Sequence, residues 1–153
     1  MEKILFVCHG NICRSPMAEF ICKKMASDAG VRMQIDSAAT SAEEVGNDMY
    51  PPAKECLRRH GVPFERHSAR RLTAADFAVY DRIFIMDRNN LRWIERLFSA
   101  EASTAGSDGR PKVQMLMSLC GSGRDVADPW YTGDFEQTFS DISAALKVFF
   151  KDH

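Results

Sequence analysis

Five residues separate Cys8 from Arg14, and the residues between them and just after are His9-Gly10-Asn11-Ile12-Cys13 and Ser15-Pro16. A thiolate is a strong nucleophile, and a dianionic phosphate calls for a planar, bidentate cation, which arginine supplies better than lysine. Gly10 and Asn11 tolerate left-handed backbone angles. A loop that curls through them would bring Arg14 back over Cys8 and turn the N–H groups of His9 to Arg14 inward. Such a nest, closed by a helix start at Ser15-Pro16, holds an oxyanion of phosphate size. The same field would stabilise a thiolate on Cys8. The chemistry expected is attack on phosphorus, with the backbone amides and Arg14 holding the equatorial oxygens as charge shifts. Ser15 would donate a hydrogen bond to the sulfur and help it leave. Taken alone, Cys8 reads first as a buried structural cysteine; its combination with Gly10, Asn11, Arg14 and Ser15-Pro16 reverses that in favour of catalysis. Neither a Gly-Lys-Ser/Thr ending nor three spaced glycines is present, so the loop is not a nucleotide cradle.

The elements that must position this loop are legible around it. Residues 3–8 read as a buried strand. From Ser15 the pattern turns helical, with Ser15 as N-cap, Pro16 at the first position, Glu19 as first-turn acid and Met17, Ile21 and Met25 on one face. Gly30 reads as the stop. Val31–Ala39 reads as a second strand, and Pro51-Pro52 opens a helix ending at His60-Gly61. Thr73 with Asp76 resembles a capping box for one or two turns. Ile83–Met86 is a third buried strand closed by Asp87, followed by a helix marked by Leu91, Ile94 and Leu97. The Ser/Ala/Gly-rich 99–110 segment reads as a mobile surface loop, Val113–Leu119 as a last strand. Asp134 would cap a final helix striped with Phe135, Phe139, Ile142, Leu146 and Phe149. Short apolar strands alternating with helices predict an α/β fold, a parallel sheet covered by helices on both faces. Ligands in such sheets sit beyond the carboxyl ends of strands, where both Cys8 and Asp87 fall.

The 153 residues suit one domain, 1–153, with 45% hydrophobic and 27% charged residues and a formal net charge of −1. That balance argues against nucleic-acid binding by bulk charge and against disorder. The N-terminal apolar run is four residues long, too short for a secretory leader, and no stretch reaches membrane-span length. A soluble, cytoplasmic protein is expected. Five cysteines, an odd number, do not read as a disulfide framework. Cys8 and Cys13 have finger-like spacing, but a structural zinc site needs a second close pair, and there is none. No metal and no cofactor are expected.

Cys8-His9-Gly10-Asn11-Ile12-Cys13-Arg14-Ser15-Pro16, with Asp128-Pro129 near the C-terminus, resembles the low-molecular-weight protein tyrosine phosphatase family. The likeness extends to Asp36-Ser37, Val45-Gly46, Cys56-Leu57-Arg58 with His60-Gly61, the His67–Arg71 segment and Met86-Asp87. The resemblance implies a four-stranded parallel sheet flanked by helices, with the phosphate-binding loop after the first strand. It implies metal-free hydrolysis of phosphotyrosine on protein substrates, a tyrosine kinase among them in bacteria. Carried over, Asp128 is the general acid that protonates the phenolate and then activates water. Asn11, Ser37 and His67 match a hydrogen-bond network supporting the loop. Trp130 and Tyr131 match one aromatic wall of the pocket, with Ile12 at its rim. Cys13 matches a redox partner that protects Cys8 through a reversible disulfide. The chain departs from the pattern on the opposite wall, where an aromatic is often found and Glu43 and Glu44 stand here. His9 replaces a more usual apolar or small residue.

Three competing functions share these features. A protein-arginine phosphatase on the same fold would carry threonine at Ile12 and a smaller wall than Trp130. A thioredoxin-coupled arsenate reductase needs two further cysteines after the third or fourth strand, and 84–105 has none. A phosphotyrosine-binding module without turnover would have no use for an intact Cys8, Arg14 and Asp128.

Overall fold

The computed structural model describes residues 1–153. Four strands form one parallel sheet in the order β2-β1-β3-β4: β1 Glu2–Cys8, β2 Met33–Ala39, β3 Arg82–Ile85 and β4 Val113–Met115. β1 lies between β2 and β3, paired Cys8 to Ala39 on one side and Val7 to Ile85 on the other. The chain therefore reverses its direction of winding at β1, and a crevice opens beyond the carboxyl ends of β1 and β3.

Strand alternation divides the core. Ile4, Phe6 and Cys8 face one layer with Phe84 and Met86, while Leu5 and Val7 face the other with Ile83 and Ile85. The larger layer is covered by three helices: α1 Arg14–Ala29, α2 Pro51–Arg59 and α6 Phe135–Lys151. α3 Asp76–Val79 and α4 Arg88–Leu97 bring Phe77 and Ile94 to the smaller layer. Cys8 thus ends a strand on the thicker face, directly over the start of α1. The parallel α/β architecture with helices on both faces is the one expected.

Several local expectations are corrected. α1 begins at Arg14 with Cys13 as N-cap, so Ser15 lies inside the first turn and caps nothing. Glu19 is also not in the first turn. It is buried and accepts hydrogen bonds from Ser37 Oγ and Lys23 Nζ, both at 2.6 Å. The last strand stops at Met115, and Leu116–Cys120 forms a 3-10 helix. Leu116 and Met117 are consecutive and buried in the same layer, which a strand with alternating faces cannot achieve. α3 is a single turn begun at Asp76, whose carboxylate still bonds back to Thr73 N–H at 2.7 Å. β2 starts at Met33 rather than Val31, and β3 runs one residue earlier than expected, Arg82–Ile85. Three helix boundaries hold. Gly30 ends α1 with a left-handed φ of 68°, Pro51-Pro52 opens α2, and Asp134 Oδ1 accepts from Gln137 N–H at the start of α6.

Candidate active site

The loop from His9 to Cys13 turns its carbonyls outward. The Cys8 carbonyl accepts from Thr40 N–H, His9 from Ser41 N–H and Ile12 from Tyr50 N–H, at 2.9–3.0 Å. Asn11 O accepts from His67 Nε2 at 2.7 Å. The N–H groups of residues 9–13 donate to no acceptor within the protein. These free donors belong to residues that, Asn11 apart, line one pocket together with Cys8, as an anion nest requires. One residue, Asn11, adopts the required left-handed turn, with φ 61°. Gly10 does not, and a Cβ there would make ordinary contact with Glu44 Cγ at 3.4 Å. Asn11 earns its conformation through its side chain. Its amide donates to Ser15 Oγ at 2.7 Å, and its Oδ1 accepts from Arg70 N–H at 3.2 Å. Ser15 Oγ lies 3.0 Å from Cys8 Sγ, within reach to donate to a thiolate there, and 3.5 Å from the Ala38 carbonyl, its other acceptor. Ser15 N–H also faces the sulfur at 3.4 Å.

Arg14 is 2% exposed and fixed along one edge. Nη1 donates to Asp87 Oδ2 at 2.7 Å and to the Val126 carbonyl at 2.8 Å, and Nη2 reaches Asp128 Oδ2 at 3.4 Å. Burial lowers the Arg14 pKa, but Cys8, Asp128 and Asp87 outweigh it and hold the guanidinium more firmly charged than usual. Nε makes no hydrogen bond in the protein, so the Nε–Nη2 edge is the one that can grip two phosphate oxygens. Asp128 also caps the short α5 (Pro129–Thr132), accepting Trp130 N–H on Oδ1 at 3.0 Å. The cap aims its second oxygen across the pocket.

His67 belongs to the supporting network. Both its Nε2 partners, Asn11 O and Oδ1, are acceptors, so that nitrogen carries the proton. Ser37 does not join this network. Its hydroxyl donates to buried Glu19, tying β2 to α1 instead.

The pocket holds about 130 Å³ and opens between two unlike walls. Ile12, Trp130 and Tyr131 line it on the apolar side. Trp130 is 52% exposed and packs on Tyr50 at 4.7 Å between ring centroids; Tyr131 is 83% exposed. Neither is an ordinary core aromatic. Opposite stand Glu43 and Glu44, with His9 Nε2 3.1 Å from Glu43 Oε2. The unusual His9 is therefore paired with the unusual Glu43. Cys13 lines the same pocket, and burial, Cys8 and Asp128 push its thiol well above the usual range. All five cysteines are free.

The family model for low molecular weight phosphotyrosine protein phosphatase matches residues 3–152. The chain belongs to this family. Among its relatives is the human low molecular weight phosphotyrosine protein phosphatase, 37% identical over 153 residues, covering 97% of this chain and 93% of the human protein. YfkJ of Bacillus subtilis, a low molecular weight protein-tyrosine-phosphatase, is 36% identical over 141 residues, 90% of this chain and 86% of YfkJ. The YfkJ crystal structure superposes with a TM-score of 0.89 over 99% of this chain and 94% of that one, at 31% identity. The Drosophila arginine phosphatase DARP superposes at 0.85 with 30% identity, over 99% and 97%. No helix of this family member is long and apolar enough to cross a membrane.

Sequence reasoning missed how Arg14 is held. Asp87 read as the end of a strand, and its place at the carboxyl end beside Cys8 was the available signal. The Val126 carbonyl and the Arg70 N–H carry no side-chain signature and had none. Glu44, noted as part of the atypical wall, enters the pocket beside Glu43.

Proposed function

We propose that this chain is a protein tyrosine phosphatase that hydrolyses phosphotyrosine in proteins through a cysteinyl-phosphate intermediate. The observation that carries the reading is Cys8 in one pocket with the unpaired amides of its loop, Arg14 and Asp128. In the first step Cys8 Sγ bonds to phosphorus as the phosphorus–oxygen bond to the phenol breaks. Asp128 gives its proton to the leaving oxygen. The amides of His9, Gly10, Asn11, Ile12 and Cys13 and the free edge of Arg14 hold the three equatorial oxygens. In the second step Asp128 takes a proton from the attacking water, and the sulfur–phosphorus bond breaks. Ser15 Oγ–H stabilises the departing thiolate, while Asn11 and His67 keep Ser15 aimed. No step calls on a metal or cofactor.

The test is a panel of phosphopeptides with wild type, Cys8→Ser and Asp128→Ala. Cys8→Ser is expected to reduce turnover to background. Asp128→Ala should cost about 10²–10⁴-fold on phenols of ordinary acidity and far less on activated ones. Equal losses on both would remove Asp128 from the acid role. Arginine phosphatase is the competing reading, since DARP superposes well. Ile12, Trp130 and Tyr131 instead make an apolar slot suited to a flat ring, so phosphotyrosine peptides should be turned over in preference to phosphoarginine peptides.

Cys13 supports a redox role. Oxidation of Cys8 to the sulfenic acid, followed by attack of the Cys13 thiol, yields a disulfide and water. Activity lost to peroxide should return with dithiothreitol in wild type and not in Cys13→Ser. Five free thiols suit a reducing compartment, and we assign the protein to the cytoplasm on that ground.

A further inference from the structure

A thiol, an imidazole and a carboxylate that the phosphatase mechanism does not use meet where α2 approaches the first turn of α6. The donor atoms of Cys56, His60 and Glu136 all lie within 4.8 Å of one another. Cys56 Sγ is 3.7 Å from Glu136 Oε1, and His60 Nε2 is 2.6 Å from Glu136 Oε2. A tetrahedral zinc with sulfur at about 2.3 Å and nitrogen and oxygen at about 2.0–2.1 Å has ligand–ligand edges of roughly 3.3–3.6 Å. The two short distances run to different oxygens of Glu136, so a single ligating oxygen requires the carboxylate to turn between Cys56 and His60, a movement its half-exposed end allows.

We propose that Cys56, His60 and Glu136 form a binding site for a divalent cation of the zinc class, with water as the fourth ligand. Sulfur with imidazole selects zinc-like ions over magnesium or calcium. The site is held by rigid parts. Cys56 is fully buried in α2, and His60 caps that helix one turn later. The His60 ring lies flat on Phe139, 3.8 Å between centroids with an 11° tilt, which fixes the direction of Nε2. The competitor is Arg59, whose Nε and Nη2 lie 3.1 and 2.7 Å from Glu136 Oε1. Half-exposed, Arg59 can turn into solvent and release that oxygen. Binding transfers the Cys56 thiol proton to solvent. Burial and Glu136 push that thiol up to about 11, so the cation has to displace a firmly held proton.

The test is titration of the full chain with cobalt(II), then zinc(II), in a Cys8→Ser background that removes the phosphate-pocket nucleophile. A thiolate-to-cobalt charge-transfer band is expected, with tetrahedral visible bands, and zinc should bleach both. The band should persist when Cys13 or Cys120 is changed to Ser and vanish in Cys56→Ser. His60→Ala and Glu136→Gln should weaken binding at least about 10-fold, as loss of even an outer-shell partner does. Arg59→Ala should tighten it, which a merely structural ion pair would not do. No band, a band surviving Cys56→Ser, or Arg59→Ala weakening binding as Glu136→Gln does would each overturn the site. Arg59 and His60 are surface changes, so the result stays readable if Cys56→Ser fails to fold. The outcome is independent of phosphatase activity.

Discussion

At the scale of single residues, Asp87 carries two duties on two oxygens. Oδ2 takes the Arg14 Nη1 bond, and Oδ1 accepts Asn90 N–H at 2.7 Å to cap α4. An uncompensated buried guanidinium is costly, so a carboxylate here stabilises both the fold and the direction of the phosphate-gripping edge. Asp87→Asn keeps the capping oxygen but turns an amide toward Nη1. It should lower stability by about 1–3 kcal/mol and reduce kcat/KM for aryl phosphates. Thermal unfolding and steady-state kinetics on the same preparation check this. Unchanged kinetics would mean that Val126 and the packing suffice to orient Arg14.

At the scale of elements, Ser37 and Asp48 join pieces of chain that the site depends on. Ser37 fastens β2 to α1 through Glu19, away from the phosphate loop. Ser37→Ala is expected to cost about 1–2 kcal/mol in stability, because a buried carboxylate loses a donor, while kcat stays near wild type. A large fall in kcat with stability intact would return Ser37 to the loop network. Asp48 fastens the segment carrying His67, accepting from Met49 N–H at 2.7 Å and His67 N–H at 2.9 Å and pairing with Lys54. Partial burial raises its pKa, but those three donors outweigh burial and hold it at about 2, against an ordinary 3.8. The unfolded chain therefore takes up the proton first on acidification. The stabilisation is complete above about pH 4–5 and is lost as pH falls toward 2. Denaturant unfolding should show wild type more stable than Asp48→Asn by about 1–2 kcal/mol at pH 6, with the gap closing by pH 2.5. A gap independent of pH would rule the carboxylate out as its source.

At the scale of the whole molecule, α6 closes the thicker layer over the sheet. Phe149 stands edge-on to Phe84 at 5.9 Å, and Phe84 stacks on Phe6 in β1 at 5.8 Å. This aromatic column supports the strand that ends at Cys8. Phe149→Ala should cost about 3–5 kcal/mol, and in a domain of this size each kcal/mol lowers Tm by roughly 2–4 °C. Calorimetry measures it, with any residual activity per folded molecule expected to stay close to wild type.

The sequence by itself determined the reacting loop. Cys8 through Ser15 are contiguous, and contiguous residues of these types build an anion nest almost regardless of surroundings, so thiol, arginine and donors were all legible. Helix ends marked by Gly30, Pro51 and Asp134 were legible for the same reason: caps and breakers act over a few residues. Tertiary structure alone decided which carboxylates meet Arg14, at separations of 73 and 114 residues. It also started α1 at Arg14, leaving Ser15 the expected part beside the sulfur but not the expected cap, sent Ser37 to Glu19, and brought Glu136 to Cys56 and His60 across 80 and 76 residues. Such pairings depend on strand order and helix packing, and local pattern carries no record of either.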